Sequence, residues 1–285
     1  MFWKISITGA VQGVGFRPFI YHEAKKRGLK GYVKNTGCGV EILIDDSSFA
    51  SVIKDKKIAP PLSEIENIKI EKTEAIEAIN TGNTDIHDFR IISSTAESGA
   101  TTILPDISIC DRCTKEIYDK KNRRKNYYYT TCTDCGPRFS IIKETPYDRK
   151  KTSMSEFKMC EKCRKEYKDP HNRRYHAQTI ACPECGPKLF LFKKGKKIEE
   201  AENAIEKASF ALKIGEIIAI KGTGGYHLVC DAKNSESITR LRKIIQRPTR
   251  PLAIMAKTIE DIKDIAVVEK CEQDALTSNK RPIVI

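Results

Sequence analysis

The strongest constraint on how this chain can fold is a pattern of cysteine pairs that occurs twice in its middle third. Each copy has the form Cys-x2-Cys-x18-Cys-x2-Cys, and the second copy follows the first 50 residues later without a gap. The match goes beyond the cysteines, because Glu116 corresponds to Glu166 and the triplet Asn-Arg-Arg at 122–124 recurs at 172–174. The paired cysteines are Cys110, Cys113, Cys132, Cys135, Cys160, Cys163, Cys182 and Cys185. This self-similarity indicates an internal duplication of one small module.

Cysteine pairs at this spacing are typical of structural zinc sites. A Cys-x2-Cys turn presents two thiolates to a tetrahedral ion, and a second pair completes a site with no open position. We therefore predict a tandem four-cysteine module over residues 105–190 that binds two structural Zn²⁺ ions, in which metal replaces the core that so short a segment lacks. The spacing leaves open whether each ion is bound within one repeat or between the repeats.

Two alternatives concern the same segment. The Cys-x2-Cys pairs could instead perform redox chemistry. His171 and His176 lie near the second set of cysteines, but the first repeat has Lys121 and Asn126 at these positions. We therefore interpret both histidines as surface or packing residues and not as ligands.

Residues 1–93 predict a small α+β domain. The segments FWKISITG, KGYVKN, GVEILID, IENIKIEKT and HDFRIIS have the composition and alternation of strands. PFIYHEAKKRG and SSFASVIKDKKI have helical periodicity and end at Gly28 and at Pro60-Pro61. The order β-α-β-β-α-β is that of a ferredoxin-like fold.

The stretch GAVQGVGFRPF, residues 9–19, connects the first strand to the first helix and contains three glycines beside Arg17. Glycine tolerates positive φ, so such a turn can direct several backbone N–H groups toward one point. Amides of this kind next to an arginine and a helix start form an anion site. The alternative is a tight turn with a solvated arginine.

Residues 196–285 predict an α/β domain. The amphipathic helix IEEAENAIEKASFALKIG precedes the strand EIIAIKG, the segment YHLVCDA and the helix SESITRLRKIIQ. The segment PLAIMAK, a further helix and the strand RPIVI follow. This alternation is typical of an open α/β sheet. About ninety residues are few for such a sheet, so we expect an incomplete, truncated domain.

Charge and hydropathy limit the class of protein. Residues 96–195 contain 22 basic and 13 acidic side chains, which raises the possibility of nucleic-acid binding. Eight thiolates and two zinc ions would remove much of this excess, so we expect no nucleic-acid partner. No apolar run approaches the roughly 20 residues that span a bilayer, and the N-terminus lacks the layout of a signal peptide. We predict a cytoplasmic protein without a membrane partner.

The three segments in this order resemble the N-terminal portion of the hydrogenase maturation carbamoyltransferase family, HypF. GAVQGVGFRPF and GYVKNTGCGVEI resemble the two acylphosphatase signatures, and the doubled cysteine pattern resembles the family's zinc module. KGTGGYHLVCDA and RPTRPLAIM resemble parts of its YrdC-like nucleotide domain. One departure is Glu41, where the second signature has valine.

The resemblance implies an acylphosphatase site. Arg17 and the loop residues Gln12, Gly13, Val14, Gly15 and Phe16 would bind the phosphate of an acyl phosphate, and Asn35 would position the attacking water. The implied substrate is carbamoyl phosphate, whose carbamate feeds the cyanide ligands of [NiFe] hydrogenase. Implied partners are a hydrogenase maturation protein or a separately encoded C-terminal half.

For the last segment, the resemblance implies ATP binding, with Lys221, Arg247 and Arg250 as candidate contacts. The family's basic cluster is interrupted here by Ile244 and Ile245, so we expect weak ATP binding at best.

Two other functions remain open: a free-standing acylphosphatase with zinc appendages, and a zinc-dependent nucleic-acid-binding protein. Because no ligand candidate precedes Cys110, we also expect zinc chelation to unfold the module and to spare hydrolysis at the first domain.

Overall fold

A computed structural model describes residues 1–73, 87–95, 99 and 101–285. The chain divides into two compact units, Met1–Gly186 and Pro187–Ile285. The first unit therefore contains both the predicted α+β segment and the predicted zinc module. The predicted boundaries at 1–93, 105–190 and 196–285 remain a proposal for the evolutionary domains within these units.

The N-terminal part of the first unit is a mixed sheet with two helices. Its strands are β1 (Phe2–Ala10), β2 (Gly31–Asn35), β3 (Val40–Ile44), β4 (Glu64–Thr73) and β5 (Phe89–Ile91), and its described helices are α1 (Phe16–Lys26) and α2 (Phe49–Lys54). The spatial order is β4-β1-β3-β2-β5. Only the β2–β5 pair is parallel among these described strands. The predicted strands and helices are confirmed, and the order 4-1-3-2 of the first four strands is that of a ferredoxin-like sheet.

Alternation along β1 explains how this sheet is covered. Ile5 and Ile7 point to the buried face and lie opposite Ile42 and Val40 of β3. α1 packs Ile20 against the same face. Each such side chain stabilises the fold by about 1.5–3 kcal/mol relative to an exposed one. The sheet thereby places the β1–α1 loop and the end of β2 at one edge of the domain.

The zinc module contains little regular structure. Helix α3 (Asp111–Tyr118) begins directly after Cys110, and helix α4 (Glu161–Lys168) begins directly after Cys160. Short 3₁₀ turns lie at Phe139–Ile141, Arg149–Lys151 and Ser153–Glu156. The buried residues form several small clusters, two of which are made largely of the cysteines themselves. A module with so small an apolar core depends on its metal sites for stability.

The second unit contains two antiparallel hairpins and four helices within the described residues. The strands are β6 (Phe190–Lys193), β7 (Lys196–Glu200), β8 (Ile218–Lys221) and β9 (Tyr226–Val229). The helices are α5 (Ala201–Lys213), α6 (Ser235–Ile244), α7 (Ile259–Lys263) and α8 (Lys270–Thr277). The strand predicted at 281–285 is wrong for this structure, because the segment has no ladder partner among the described residues. Across the described chain, every helix is too short or too polar to cross a lipid bilayer.

Candidate functional site

The loop between β1 and α1 contains a row of backbone N–H groups without a protein acceptor. Gly13 and Gly15 have φ values of 73° and 77°, in the left-handed region that favours glycine. Within the described part of the chain, none of the backbone N–H groups of residues 13–17 donates to a protein acceptor. Five free amides at the start of a helix form a row of donors. The loop therefore offers hydrogen bonds that a bound anion would accept.

Arg17 is the charged member of this group. Its side chain is almost buried, and Nη2 donates to Oδ1 of Asp148 at 2.8 Å, while Nη1 donates to Oγ of Ser94 at 3.4 Å. Asp148 comes from the zinc module, 131 residues away in sequence. A guanidinium in this setting is held in one orientation and presents a fixed positive charge beside the loop.

Asn35 ends strand β2 and is 1% exposed. Its Nδ2 donates to the carbonyl oxygen of Tyr147 at 3.3 Å. Its Oδ1 is buried and has no hydrogen-bond partner among the described residues. Buried acceptors are normally satisfied, so an unpaired one at this position suits a water or a ligand.

Gln12 has a different role from the amides that follow it. Its Nε2 donates to the carbonyl oxygens of Thr36 and Gly39, both at 2.8 Å, and its Oε1 accepts from the N–H of Tyr147 at 2.7 Å. The side chain thus joins the β1–α1 loop to the β2–β3 turn and to the zinc module. Val14 and Phe16 are packed in the core, so they can offer a ligand only their backbone.

A partly open cavity of about 30 Å³ lies where these groups meet. This has room for two or three waters at roughly 10–15 Å³ each. The first domain and the zinc module both contribute walls: Val11, Gly13, Gly15, Phe16, Arg17, Pro18 and Asn35 on one side, and Cys132, Thr133, Arg138, Tyr147, His176, Ala177, Gln178 and Thr179 on the other. The zinc module is therefore one wall of the candidate site.

The sequence patterns gave no prediction of this wall. Tyr147 and Asp148 together contact Gln12, Arg17 and Asn35, the three polar side chains of the two N-terminal signatures. No local pattern near Tyr147 predicts this, because the contacts span more than 110 residues. His176 did carry a signal, since the duplication has asparagine at the equivalent position.

Arg138 joins the turn that carries Cys132 and Cys135 to the β1–α1 loop. Its Nη1 donates to the carbonyl oxygens of Cys135 and Pro137, both at 3.0 Å, and Nη2 donates to that of Thr133 at 2.8 Å. Its Nε donates to the carbonyl oxygen of Gly13. The side chain is buried, so these bonds are protected from solvent. The turn that carries Cys132 and Cys135 is thus connected to the loop that would bind an anion.

The eight paired cysteines form two groups of four, and each group lies within one repeat. Neighbouring sulfur atoms are 3.6–3.8 Å apart in the first group and 3.6–3.7 Å apart in the second. Zn–S bonds of about 2.3 Å place the corners of a tetrahedron about 3.8 Å apart. The two groups therefore fit two structural Zn²⁺ ions, and the structure answers the question of pairing that the spacing left open.

The repeated Asn-Arg-Arg triplet connects the two repeats reciprocally. Arg123 donates from Nη2 to the sulfur of Cys163 at 3.2 Å, and Arg173 donates from Nη2 to the sulfur of Cys113 at 3.1 Å. The second arginine of each triplet pairs with the glutamate of the other repeat, Arg124 with Glu166 and Arg174 with Glu116. Hydrogen bonds from arginine stabilise the thiolate form that zinc requires. Each repeat thereby supports the metal site of the other.

The candidate nucleotide contacts lie in the second unit. Lys221 ends β8, donates to the carbonyl oxygen of Gly224 at 3.0 Å and lies 5.3 Å from the ring centroid of Tyr226. Arg247 and Arg250 are exposed, and their carbonyl oxygens accept from Arg242. These contacts are local, and nucleotide binding by the three residues remains a prediction.

The fold and the site define a class of protein, an acylphosphatase-type domain joined to a tandem zinc module. Family models agree: "Acylphosphatase" matches residues 3–91, "HypF finger" matches 109–142 and 159–192, and "Telomere recombination", the Sua5/YrdC type, matches 210–285. The Bacillus subtilis acylphosphatase is 38% identical over 78 residues, which are 26% of this chain and 86% of that protein.

Relatives that match along the whole chain identify the particular family. A probable carbamoyltransferase HypF of Methanocaldococcus jannaschii is 50% identical across 99% of this chain and 36% of its own length. The HypF of Rhodobacter capsulatus is 43% identical across 99% of this chain and 37% of its own length. A full-length HypF crystal structure in a phosphate- and nucleotide-bound form has a TM-score of 0.86 and 38% identity, covering 98% of this chain and 36% of that one.

The chain belongs to the HypF carbamoyltransferase family. It spans a little over a third of the length of the curated HypF relatives that it matches.

Proposed function

We propose that this chain hydrolyses acyl phosphates at the site between the β1–α1 loop and the zinc module, with carbamoyl phosphate as its substrate. The observation that carries the proposal is the combination of five free amides, the fixed charge of Arg17 and the unpaired Oδ1 of Asn35 around one cavity. The first two suit a phosphate, and the third suits the water that attacks it.

In this reaction the phosphate accepts hydrogen bonds from the amides of residues 13–17 and pairs with Arg17. Asn35 Oδ1 accepts a hydrogen bond from the attacking water and orients the water's oxygen toward phosphorus. A new P–O bond forms as the bond to the acyl oxygen breaks, and carbamate leaves with that bond's electron pair. The water's proton passes to the phosphate product. Carbamate is already a good leaving group, so positioning and charge stabilisation supply the rate.

Substrate binding competes with an ion pair that is already present at the site. Asp148 pairs with Nη2 of the Arg17 guanidinium, and the side chain of Asp148 is 26% exposed. A phosphate dianion would compete with this carboxylate for the guanidinium. We infer that substrate entry exchanges the Arg17–Asp148 ion pair for an Arg17–phosphate pair.

Contacts from the zinc module also bear on whether this chain is part of a hydrogenase maturation enzyme or a free-standing acylphosphatase with zinc appendages. Tyr147, Asp148 and Arg138 reach the candidate site from the zinc module, which favours a functional part over an appendage. In keeping with the family, we propose that the carbamate feeds a carbamoyl transfer toward the cyanide ligands of [NiFe] hydrogenase, with a maturation protein as acceptor. We propose that this reaction takes place in the cytoplasm.

The direct test is phosphate release from carbamoyl phosphate and acetyl phosphate by the 285-residue chain and by Arg17→Ala. Losing a fixed donor of this kind typically costs about 2.7–4 kcal/mol, so kcat should fall at least 100-fold. The matched control is Arg27→Ala, because Arg27 follows the same helix and pairs with Glu23 away from the cavity. Hydrolysis that survives unchanged in Arg17→Ala would rule out this site.

A further inference from the structure

The two walls of the cavity differ in hydrogen-bonding character. The N-terminal wall supplies donors, the amides of residues 13–17 and the guanidinium of Arg17, besides the Asn35 oxygen assigned to water. On the zinc-module wall, the side-chain N–H groups of Arg138 and Gln178 already donate to carbonyl oxygens of the protein. This leaves a ring nitrogen of His176 as an acceptor on that wall, with the carboxylate of Asp148 close by on Arg17. A phosphate only accepts hydrogen bonds, so it belongs to the donor wall. The acyl end of the substrate would then face the zinc module.

The backbone conformation at position 176 does not by itself explain why this residue is a histidine. It and its counterpart Asn126 in the first repeat both have φ of 55°. Asparagine and histidine adopt this left-handed region more readily than most other residues. Asparagine therefore satisfies the backbone at this turn, and the second repeat has histidine where its side chain lines the cavity.

The imidazole is available to a ligand. It packs against the rings of Tyr167 and Tyr175, with centroids 5.0 and 4.6 Å away. Among the described residues, the hydrogen bonds of His176 are those of its backbone, from its N–H to the carbonyl oxygen of Tyr167 and from Nε2 of Gln178 to its own carbonyl oxygen. Burial, together with the charge of Arg17, lowers the pKa of His176 to about 4, so the ring is neutral at pH 7. A neutral imidazole has one nitrogen that donates and one that accepts.

We propose that His176 is a specificity-determining residue that accepts a hydrogen bond from the amino group of carbamoyl phosphate. The inference rests on the proposed function and assigns a substrate contact to the zinc module. Acetyl phosphate has a methyl group where carbamoyl phosphate has an amino group, and the two differ little in size. A site built to pair with a substrate N–H discriminates against an analogue that lacks it, because its own polar group is then left unpaired.

The test compares kcat/KM for carbamoyl phosphate and acetyl phosphate in the unaltered chain, His176→Asn and His176→Gln. Asparagine keeps the backbone conformation that the first repeat already uses, but its amide is too short to replace the ring. We expect His176→Asn to lower kcat/KM for carbamoyl phosphate at least tenfold and for acetyl phosphate less than threefold, as for one lost buried hydrogen bond. His176→Gln, with a longer amide, should recover part of the preference. Asn126→Ala is the matched control and should leave the ratio unchanged.

Two further readouts separate a substrate contact from a structural role. Zinc content should stay at two ions per chain in His176→Asn, and inhibition by inorganic phosphate should be unaltered because phosphate occupies the other wall. An equal loss for both substrates, a weaker phosphate inhibition or no change in either substrate would overturn the inference. If the unaltered chain hydrolyses neither substrate, the proposed function fails and the inference falls with it, whereas hydrolysis with an unchanged ratio refutes the inference alone.

Discussion

At the scale of single residues, Asn35 has the most specific surroundings. Its Nδ2 is held by the Tyr147 carbonyl, which leaves Oδ1 as the unpaired acceptor in the cavity. We expect Asn35→Ala to lower kcat about 100-fold, because misplacing the attacking water loses orientation. KM should change less than threefold, since Asn35 carries no charge that binds phosphate. Steady-state kinetics measure both, and a large rise in KM with normal kcat would contradict the assigned role.

Glu41, the departure from the acylphosphatase signature, forms a buried ion pair. Its carboxylate lies 3.0 Å from Nζ of Lys34 and 3.2 Å from that of Lys4, and it also accepts from Oη of Tyr32 at 3.1 Å. Burial disfavours the ionised form of Glu41, but the hydrogen bond and charge of Lys34, followed by Lys4, outweigh it and lower the pKa of the carboxyl.

We therefore expect Glu41→Gln to reduce the free energy of unfolding of the first domain by about 3 kcal/mol at pH 7, because Lys34 is left buried without its partner. A lowered folded-state pKa means that this stability is present above the unfolded pKa, near 4.3, and is lost as pH falls through the folded value. The difference between variant and unaltered chain should thus shrink below about pH 4. Urea unfolding followed by the fluorescence of Trp3, the single tryptophan, reports it. Glu71→Gln, at an exposed pair with Lys69, is the control and should change little.

At the scale of elements, the contacts between the zinc module and the β1–α1 loop change the expected effect of zinc chelation on hydrolysis. The order of the ligands predicts that chelation spares the first domain, but Arg138 connects the Cys132–Cys135 turn to Gly13, and Tyr147 binds Gln12 and Asn35. We now expect removal of zinc to lower hydrolysis of carbamoyl phosphate at least tenfold, because the donors lose their fixed geometry.

The measurement follows hydrolysis and bound zinc together during chelation and after zinc is restored. Arg138→Ala, with both ions retained, should reduce activity in the same direction. A chain stripped of zinc that hydrolyses at the full rate would show that the two segments work independently.

At the scale of the whole molecule, the sequence resemblance bears on whether the second unit can adenylate. The resemblance implies basic residues where this chain has Ile244 and Ile245, and Ile244 is 61% exposed at the end of α6. An isoleucine cannot pair with a phosphate, so charge-assisted contacts are lost. We expect the 285-residue chain to catalyse no carbamoyl-phosphate-dependent exchange of pyrophosphate into ATP. Radiolabelled exchange measures this, and robust exchange would contradict it.

Much of the first domain could be predicted from local signals. The alternation that includes Ile5 and Ile7 predicts β1, and Gly28 marks the end of α1. Both signals depend on residues close together in the chain, and both elements are confirmed. The two groups of four cysteines were predictable for a similar reason, because the type of ligand and its spacing can be read directly from the sequence. The strand predicted at 281–285 was wrong, because an apolar run becomes a strand only when another strand pairs with it.

The sequence by itself determined the order of the segments, the eight thiolates and the loop that carries Arg17. Only the tertiary structure decided that each group of four cysteines belongs to one repeat and that the repeated arginines support the opposite metal site. It also decided that Tyr147 and His176 line the cavity and that Asp148 pairs with Arg17. The physical reason is one of range. Periodicity and turn chemistry act over a few residues, whereas the Arg17–Asp148 pair and the Gln12–Tyr147 bond join groups more than 130 residues apart and form only when two separately patterned segments pack together.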